Sequence, residues 1–320
     1  MERPQRFTYD GLPIAQDEPH GAAIVVRRPL TPAGGPPEYL ILHRAHHGPD
    51  YEGDWAWTPP SGSRQPGESV LAAARRELTE ETGLVAAAID LRVLDLSGAW
   101  VRFGLDVPAG TLARVDPEHD RLEWLAAGDA ADRCRPAAVA DGVCLADQAT
   151  VARISFRPLA LADLPALVRW QHAPHAIRWF PERLDLAAAQ RKYAPRLAGE
   201  SPVQVHVLIV DGQDCGFAQH YRAGAIDPAA TEPDAIGIDY TIGLENLTGR
   251  GLGPQLIWSY IRDEVLPAHP TAQHVVASPD AANSRSIRAL VKSGFQVTGH
   301  GERDAETRCV LDVAKFFGNA

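Results

Sequence analysis

The stretch from Gly62 to Leu84, GSRQPGESVLAAARRELTEETGL, constrains the chain more than any other. Val70, Leu71, Ala74 and Leu78 recur at helical spacing, so one face of a helix over about Ser69 to Thr82 must dock on a core. Gly83 follows the last periodic residue, where a helix stops. Glu77, Glu80 and Glu81 stand at i, i+3 and i+4, which places three carboxylates within an arc of roughly 100°. Carboxylates so close repel one another unless cations sit between them. A hard ion such as Mg²⁺ takes oxygen ligands and keeps waters and substrate phosphates in its shell. It neutralises a diphosphate and can activate an attacking water. Arg76 can pair with a neighbouring carboxylate and fix its orientation. The Gly-rich loop ahead of the helix lets backbone approach metal and phosphate. On spacing alone, a solvated Glu/Arg-rich surface helix is the commoner explanation.

The segment resembles the Nudix box, GX5EX7REUXEEXGU with U aliphatic. Gly62, Glu68, Arg76, Glu77, Leu78, Glu80, Glu81, Gly83 and Leu84 fill every defined position. The resemblance covers about residues 20–148. It implies an α/β/α sandwich that hydrolyses a nucleoside diphosphate linked to another group. It also implies Mg²⁺ or Mn²⁺ on Glu77, Glu80 and Glu81, supported by Arg76 and Glu68. Glu118 and Glu123 are candidates for a further base. Trp55, Trp57 or Tyr51 could stack a nucleobase, with core packing the commoner role of each. His43, His46 and His47 are read as an exposed loop rather than a transition-metal site.

A second pattern begins at Ala152-Arg153-Ile154-Ser155-Phe156-Arg157-Pro158. It predicts a strand, helices over about 161–171 and 185–198, and strands near 203–210 and 214–222. In Ile236-Gly237-Ile238-Asp239-Tyr240-Thr241-Ile242 the isoleucines alternate with small or polar residues, a half-buried strand with Asp239 on the other face. Thr248-Gly249-Arg250-Gly251-Leu252-Gly253-Pro254 then leads into the helical spacing of Ile257, Tyr260, Ile261 and Val265. A Gly-rich turn at a helix N-terminus presents N–H groups to an anion. Asn283 opens another helix, stopped by Gly294.

Together these features resemble the GNAT acetyltransferases over about residues 152–320. Gly251 and Gly253 match the family's Q/RxxGxG/A turn, with Thr248 where Gln or Arg is usual. Asn283, Gly294 and Phe295 match its NxxAxxxYxxxGF-like helix. The resemblance implies acetyl-CoA as co-substrate. Its pyrophosphate would lie on the amides of Arg250, Gly251, Leu252 and Gly253, with Asn283 near the pantetheine arm. The family's Tyr general acid falls at Leu290, which leaves protonation of the thiolate open.

Within that superfamily the chain is similar to aminoglycoside 6′-N-acetyltransferases, members of which confer antibiotic resistance. Ile177-Arg178-Trp179-Phe180, residues 211–221 and Gly237-Ile238-Asp239 carry the likeness. It implies that Asp239 binds the acceptor amine and relays its proton, with Trp179 in the acceptor site. Siderophore precursors, polyamines and protein amines remain alternative acceptors. A nucleotide or acyl-CoA sensor role for one module remains a further alternative.

The expected fold class is therefore α/β (α+β), with a Nudix sandwich over 1–150 and a GNAT mixed sheet over 151–320. Each part is long enough for its own core. Residues 1–150 hold 14 basic and 23 acidic residues, the remainder 17 and 18. The acidity argues against a nucleic-acid surface. Residues 1–20 are expected to be a loose lead-in. They lack the regions of a signal peptide, and no apolar run is long enough for a membrane span, so a cytoplasmic location is expected. Cys134, Cys144, Cys215 and Cys309 lie far apart, so reduced thiols are expected. Small-molecule substrates are the expected partners, and oligomeric state is not legible.

Overall fold

The computed structural model describes residues 5–8, 11–180, 182–227, 230, 232–301 and 305–318, without the side chain of His47. Two compact units are present, Met1–Ala149 with Ala314–Asn319, and Thr150–Val313. The sequence division at 150/151 assigned the last residues to the second part. They count with the first, where Lys315 Nζ lies 3.2 Å from the Asp17 carboxylate. Among the described residues no helix is long and apolar enough to cross a membrane.

The first unit contains β1 (Gly21–Thr31), β2 (Gly34–Arg44), β3 (Trp57–Thr58), β4 (Ser61–Ser63), α1 (Val70–Thr82), β5 (Leu91–Asp95), β6 (Trp100–Asp106), β7 (His119–Ala126), α2 (Ala127–Arg133) and α3 (Ala137–Gln148). Its mixed sheet runs β3-β2-β1-β6-β5, with β4 on β1 and β7 on β2. The β1–β6 pair is parallel. Val25, Tyr39, Ile41 and Trp57 pack with Ala130, Val143 and Ala146 of the Ala-rich helices. Ser69 caps α1 by accepting from the Ala72 N–H at 3.2 Å, and Gly83 ends it at φ 69°.

Two expectations for this unit need correction. The Pro/Gly-rich run Thr31-Pro32-Ala33-Gly34-Gly35-Pro36-Pro37 reads in sequence as a turn between two strands, but Gly34 to Pro37 already belong to β2, with Gly34 opposite Thr31 and Pro37 opposite Pro29. Prolines are tolerated there because the hairpin end lacks a regular ladder to interrupt. Residues 5–8 and 11–20 are not loose. Ile14 N donates to Arg6 O and Ala15 N to Arg64 O, which ties the segment to the unit. Met1–Pro4, Tyr9 and Asp10 lie outside the described residues.

The second unit contains β8 (Ile154–Pro158), α4 (Leu164–Gln171), α5 (Leu186–Leu197), β9 (Gln204–Val210), β10 (Gln213–Arg222), α6 (Ala223–Ile226), β11 (Ile236–Ile242), α7 (Leu252–Tyr260), α8 (Leu266–Ala268), β12 (His274–Ala277), α9 (Ser284–Lys292), β13 (Gln296–His300) and β14 (Thr307–Asp312), and leads into α10 (Val313–Phe317). Its sheet runs β13-β14-β12-β11-β10-β9-β8. Leu164, Leu167 and Trp170 of α4 and Tyr193 of α5 bury against Val205, Val207 and Phe217. The helical spacing read through Val265 continues as a π turn over Ile261–Val265. That extra residue per turn keeps both Ile261 and Val265 buried.

A group of imidazoles lies inside this unit. His206 Nδ1 is 3.0 Å from the Tyr260 hydroxyl, and its Nε2 is 3.1 Å from Glu264. His220 is fully buried, and neither ring nitrogen has a hydrogen-bond partner among the described residues. Burial, with His206 and His269 nearby, pushes its pKa down to about 3. The unfolded chain binds this proton near pH 6.5 and the folded chain does not. Stability from this group is therefore complete above about pH 6.5 and is lost as pH falls toward 3, by on the order of 4 kcal/mol. His220→Phe should flatten that acid limb in denaturant titrations while leaving stability at pH 8 within about 1.5 kcal/mol of wild type.

Candidate active sites

Arg76 is the hub of the first site. Its Nε donates to Glu68 Oε1 at 2.8 Å, and its Nη1 to Glu77 at 2.7 Å and Glu80 at 3.0 Å. Its Nη2 donates to Glu68 at 3.0 Å and to the Ser63 carbonyl at 2.9 Å. Glu81 is 4% exposed and accepts from the Ser61 N–H at 2.8 Å. Burial pushes the Glu77 carboxyl up to about 7, against the pull of Arg76 and with the push of Glu80 and Glu118. Burial also raises Glu81 well above its usual range, and Glu77 adds to the shift. These acids thus sit where negative charge is disfavoured unless a cation arrives.

Gly62 faces them. A Cβ there would fall 2.0–2.3 Å from the carboxyl atoms of Glu77. No side chain fits, so Gly62→Ala must displace Glu77. An error of about 1 Å in a reacting group costs about 10²-fold in rate. A drop of that order in hydrolysis, with unchanged circular dichroism, is the expected result.

All four acids, Glu77, Glu80, Glu81 and Glu118, line one cavity of about 410 Å³. Its apolar wall is made by Ala23, Val25, Val101 and Val139, and its rim by Trp55 and Trp100. Trp55 is 51% exposed and held at φ 66°, a conformation that side chains other than glycine rarely adopt. Arg44 lines the same cavity, and its buried Nε has no hydrogen-bond partner among the described residues. His119, also buried, holds Asp116 at 2.7 Å through Nδ1 and places Nε2 3.8 Å from Glu81. Burial keeps its pKa below the usual range.

The remaining candidates fall elsewhere. Glu123 pairs with Arg133 at 2.8 Å and does not line the cavity. Trp57 is fully buried in the core. Tyr51 packs on that core, and its hydroxyl donates to the Asp54 carbonyl at 3.2 Å. His43 is not in an exposed loop, which corrects the sequence reading. It is fully buried on β2, 2.6 Å from Asp120 and 2.8 Å from the Tyr51 carbonyl. Strand β2 is covered on both faces there, and Tyr39 to His43 are all fully buried. His46 is exposed, and the side chain of His47 lies outside the description.

The second unit holds a larger cavity of about 940 Å³. Asp239, Trp179, Gly251, Gly253, Asn283 and Leu290 all line it. The Arg250 side chain is exposed and that of Leu252 buried, so neither lines the cavity. Gly251 stands at φ 75° as the residue before α7, and Gly249 at φ 73°. This left-handed turn suits glycine and opens the amides of the helix start. Asn283 caps α9 by accepting from the Ser286 N–H at 3.2 Å.

Asp239 accepts from Gln219 Nε2 at 2.7 Å, and Arg196 donates to Gln219 Oε1 at 2.8 Å. Its carboxylate is reached by solvent but lies deep in the concavity, and the surrounding protein raises its pKa. Strands β10 and β11 stay paired to Ile242, whereas β11 and β12 pair only at Ile236–Val275 and Gly237–Val276. The sheet therefore opens beside Asp239. Residues 19–146 match the family model of the NUDIX domain, and residues 160–303 that of an acetyltransferase (GNAT) domain. The chain joins a NUDIX domain to a GNAT acetyltransferase domain.

Over 153 residues, 46% of this chain and 75% of the relative, the chain is 29% identical to aminoglycoside N(6′)-acetyltransferase type 1 of Klebsiella pneumoniae. The 8-oxo-dGDP phosphatase NUDT18 of Mus musculus is 36% identical over 74 residues, 22% of this chain and 23% of that protein. A solved structure of aminoglycoside acetyltransferase AAC(6′)-Ib with coenzyme A is 26% identical, covering 50% of this chain and 95% of that one at a TM-score of 0.46.

In the NUDIX domain, sequence reasoning missed Arg44, His119, Trp100 and Arg102, which stand on β2, β7 and β6 around the helix acids. His119 lay inside the stretch already singled out for Glu118, so its neighbourhood was a usable signal. In the GNAT domain it missed Tyr240 and Ser286, whose hydroxyls lie 2.8 Å apart.

Proposed function

We propose that the NUDIX domain hydrolyses a nucleoside diphosphate-linked substrate with Mg²⁺ or Mn²⁺. The supporting observation is that the charge-frustrated Glu77 and Glu81 share a cavity with Glu80, Glu118 and an arginine Nε that has no hydrogen-bond partner among the described residues. Among the described residues no three acidic, His or Cys side chains form a closed metal cage. A hard ion such as Mg²⁺ takes one or two carboxylates and completes its shell with water and substrate phosphate. Glu77 and Glu81 would hold it, with Glu80 beside them. A bound ion supplies charge neutralisation and a more acidic water. Arg76 keeps Glu77 and Glu68 oriented, Arg44 faces the diphosphate, and Glu118 accepts the proton of the attacking water. Trp55 or Trp100 would stack the aromatic base.

The GNAT domain, on this proposal, transfers acetyl from acetyl-CoA to a primary amine, with an aminoglycoside 6′-amine the favoured acceptor. Asp239 on the cavity floor carries this reading, together with the likeness to the Klebsiella pneumoniae enzyme. The amides of residues 250–253 hold the pyrophosphate, Asn283 lies near the pantetheine, and Trp179 packs against the acceptor. Asp239 binds the ammonium, and Gln219 with Arg196 fixes the carboxylate. Lys192 and Arg196 line the same cavity, which favours as a second reading an acceptor with an anion beside its amine. A panel of aminoglycosides and amino acids, followed by CoA release, separates the two. Phosphate-bond hydrolysis across nucleotide diphosphates, with and without Mg²⁺, tests the NUDIX half. No cleavage of any of them with metal present would reject it.

A further inference from the structure

Breaking the thioester leaves a thiolate, and the position where this superfamily carries a tyrosine is the fully buried Leu290. The cavity nevertheless offers a phenol from another element. Tyr240 follows Asp239 on β11, and successive strand residues project to opposite faces. In a continuous sheet a cavity on one face would meet only one of them. Here β12 leaves β11 after Gly237, so both Asp239 and Tyr240 line the cavity.

The Tyr240 hydroxyl crosses the opening to α9, where it lies 2.8 Å from Ser286 Oγ. Ser286 is four residues ahead of Leu290, one turn along the same helix face. The phenol therefore stands within about a helical turn of Leu290 and is held there by a second hydroxyl. Other phenols do not compete. Tyr193 also lines the cavity, but it stands on α5 and is 2% exposed, packed in the core with Leu167 and Trp170, where its hydroxyl accepts from Gln171 Nε2. Tyr260 bonds His206 and does not line the cavity.

We propose that Tyr240, oriented by Ser286, is the proton donor to the departing CoA sulfur. This rests on the acetyl-transfer reading above. The amine nitrogen bonds the acetyl carbon, and the carbon–sulfur bond breaks with its electron pair on sulfur. The Tyr240 proton passes to sulfur, giving the CoA thiol. The amine's surplus proton goes to Asp239 and then to solvent, and solvent returns one to Tyr240. Base and acid thus act from opposite faces of one strand, with the thioester between them in the opening beside β11.

The test needs no acceptor. CoA bound to the full-length protein is titrated by thiolate absorbance. A phenol donating to sulfur stabilises the thiolate, so Tyr240→Phe should raise the pH of its ionisation by about one unit, a tenfold change in the equilibrium. Ser286→Ala should move it the same way and by less. With any amine that turns over, Tyr240→Phe should lower kcat about 10²-fold and leave KM for acetyl-CoA unchanged. An unchanged thiolate titration in both variants overturns the proposal, as does a change confined to KM. Failure of every amine with the wild-type protein, beside a shifted titration, would instead reject the acetyl-transfer reading.

Discussion

Glu81→Gln is expected to lower hydrolysis by the NUDIX domain about 10³-fold and to leave the metal-free protein no less stable. The rate loss follows from the several kcal/mol that a correctly held ion contributes to charge stabilisation. The stability result follows from burial. Glu81 is 4% exposed, and its charge is disfavoured both by burial and by Glu77. A glutamine has the same shape and keeps an oxygen for the Ser61 N–H. It removes a buried like-charge repulsion without creating a void. Thermal unfolding with and without Mg²⁺ supplies the check. Wild type should gain Tm on adding the ion, because the ion binds only the folded state. The variant should gain little. A variant that hydrolyses at the wild-type rate would remove Glu81 from the metal site.

Asp239→Asn carries the second large effect, a fall in acetyl transfer of about 10²–10⁴-fold, the usual contribution of a positioned acid or base. Binding of acetyl-CoA should be unchanged, since the glycine turn and Asn283 stand on other elements. The pH dependence is the sharper readout. The Asp239 pKa is raised by the surrounding protein. Wild-type kcat/KM should therefore fall on the acid side at a pH above the ordinary aspartate range, as the carboxylate gains its proton. The variant should lack that limb. A variant with an unchanged acid limb and rate would show that Asp239 neither binds nor deprotonates the amine.

Helix α1 was readable because its information is local. The apolar stripe, the Ser69 cap and the Gly83 stop lie within one short segment, and they set the acids' spacing. Position 62 was readable as glycine from the motif, but its reason, the Glu77 carboxyl against its backbone, is a tertiary fact. Trp55 and Trp57 show the limit of strand parity. They are two residues apart, yet one is at the cavity rim and the other in the core, because Trp55 precedes β3 in a left-handed conformation. His43 looked like part of a polar loop because its partner Asp120 is 77 residues away. Arg44 was hidden for the same reason: it reaches the acids only through packing of β2, distant in sequence from α1.

In the GNAT domain the glycine turn, the Asn283 cap and Asp239 were readable from local pattern, and all three line one cavity or stand at its edge. The reach of Tyr240 was not, because it depends on where β12 parts from β11. Pattern along β11 predicts only that Tyr240 alternates with Asp239. It takes the sheet opening to show that both meet the same space.

CoA release from acetyl-CoA by the full-length protein, with aminoglycosides that have or lack a 6′-amine, decides whether Asp239 serves a 6′-amine acceptor. Rapid release is expected only with the 6′-amines, lost in Asp239→Asn. Release that is equal with and without a 6′-amine, or that survives in Asp239→Asn, would contradict that role.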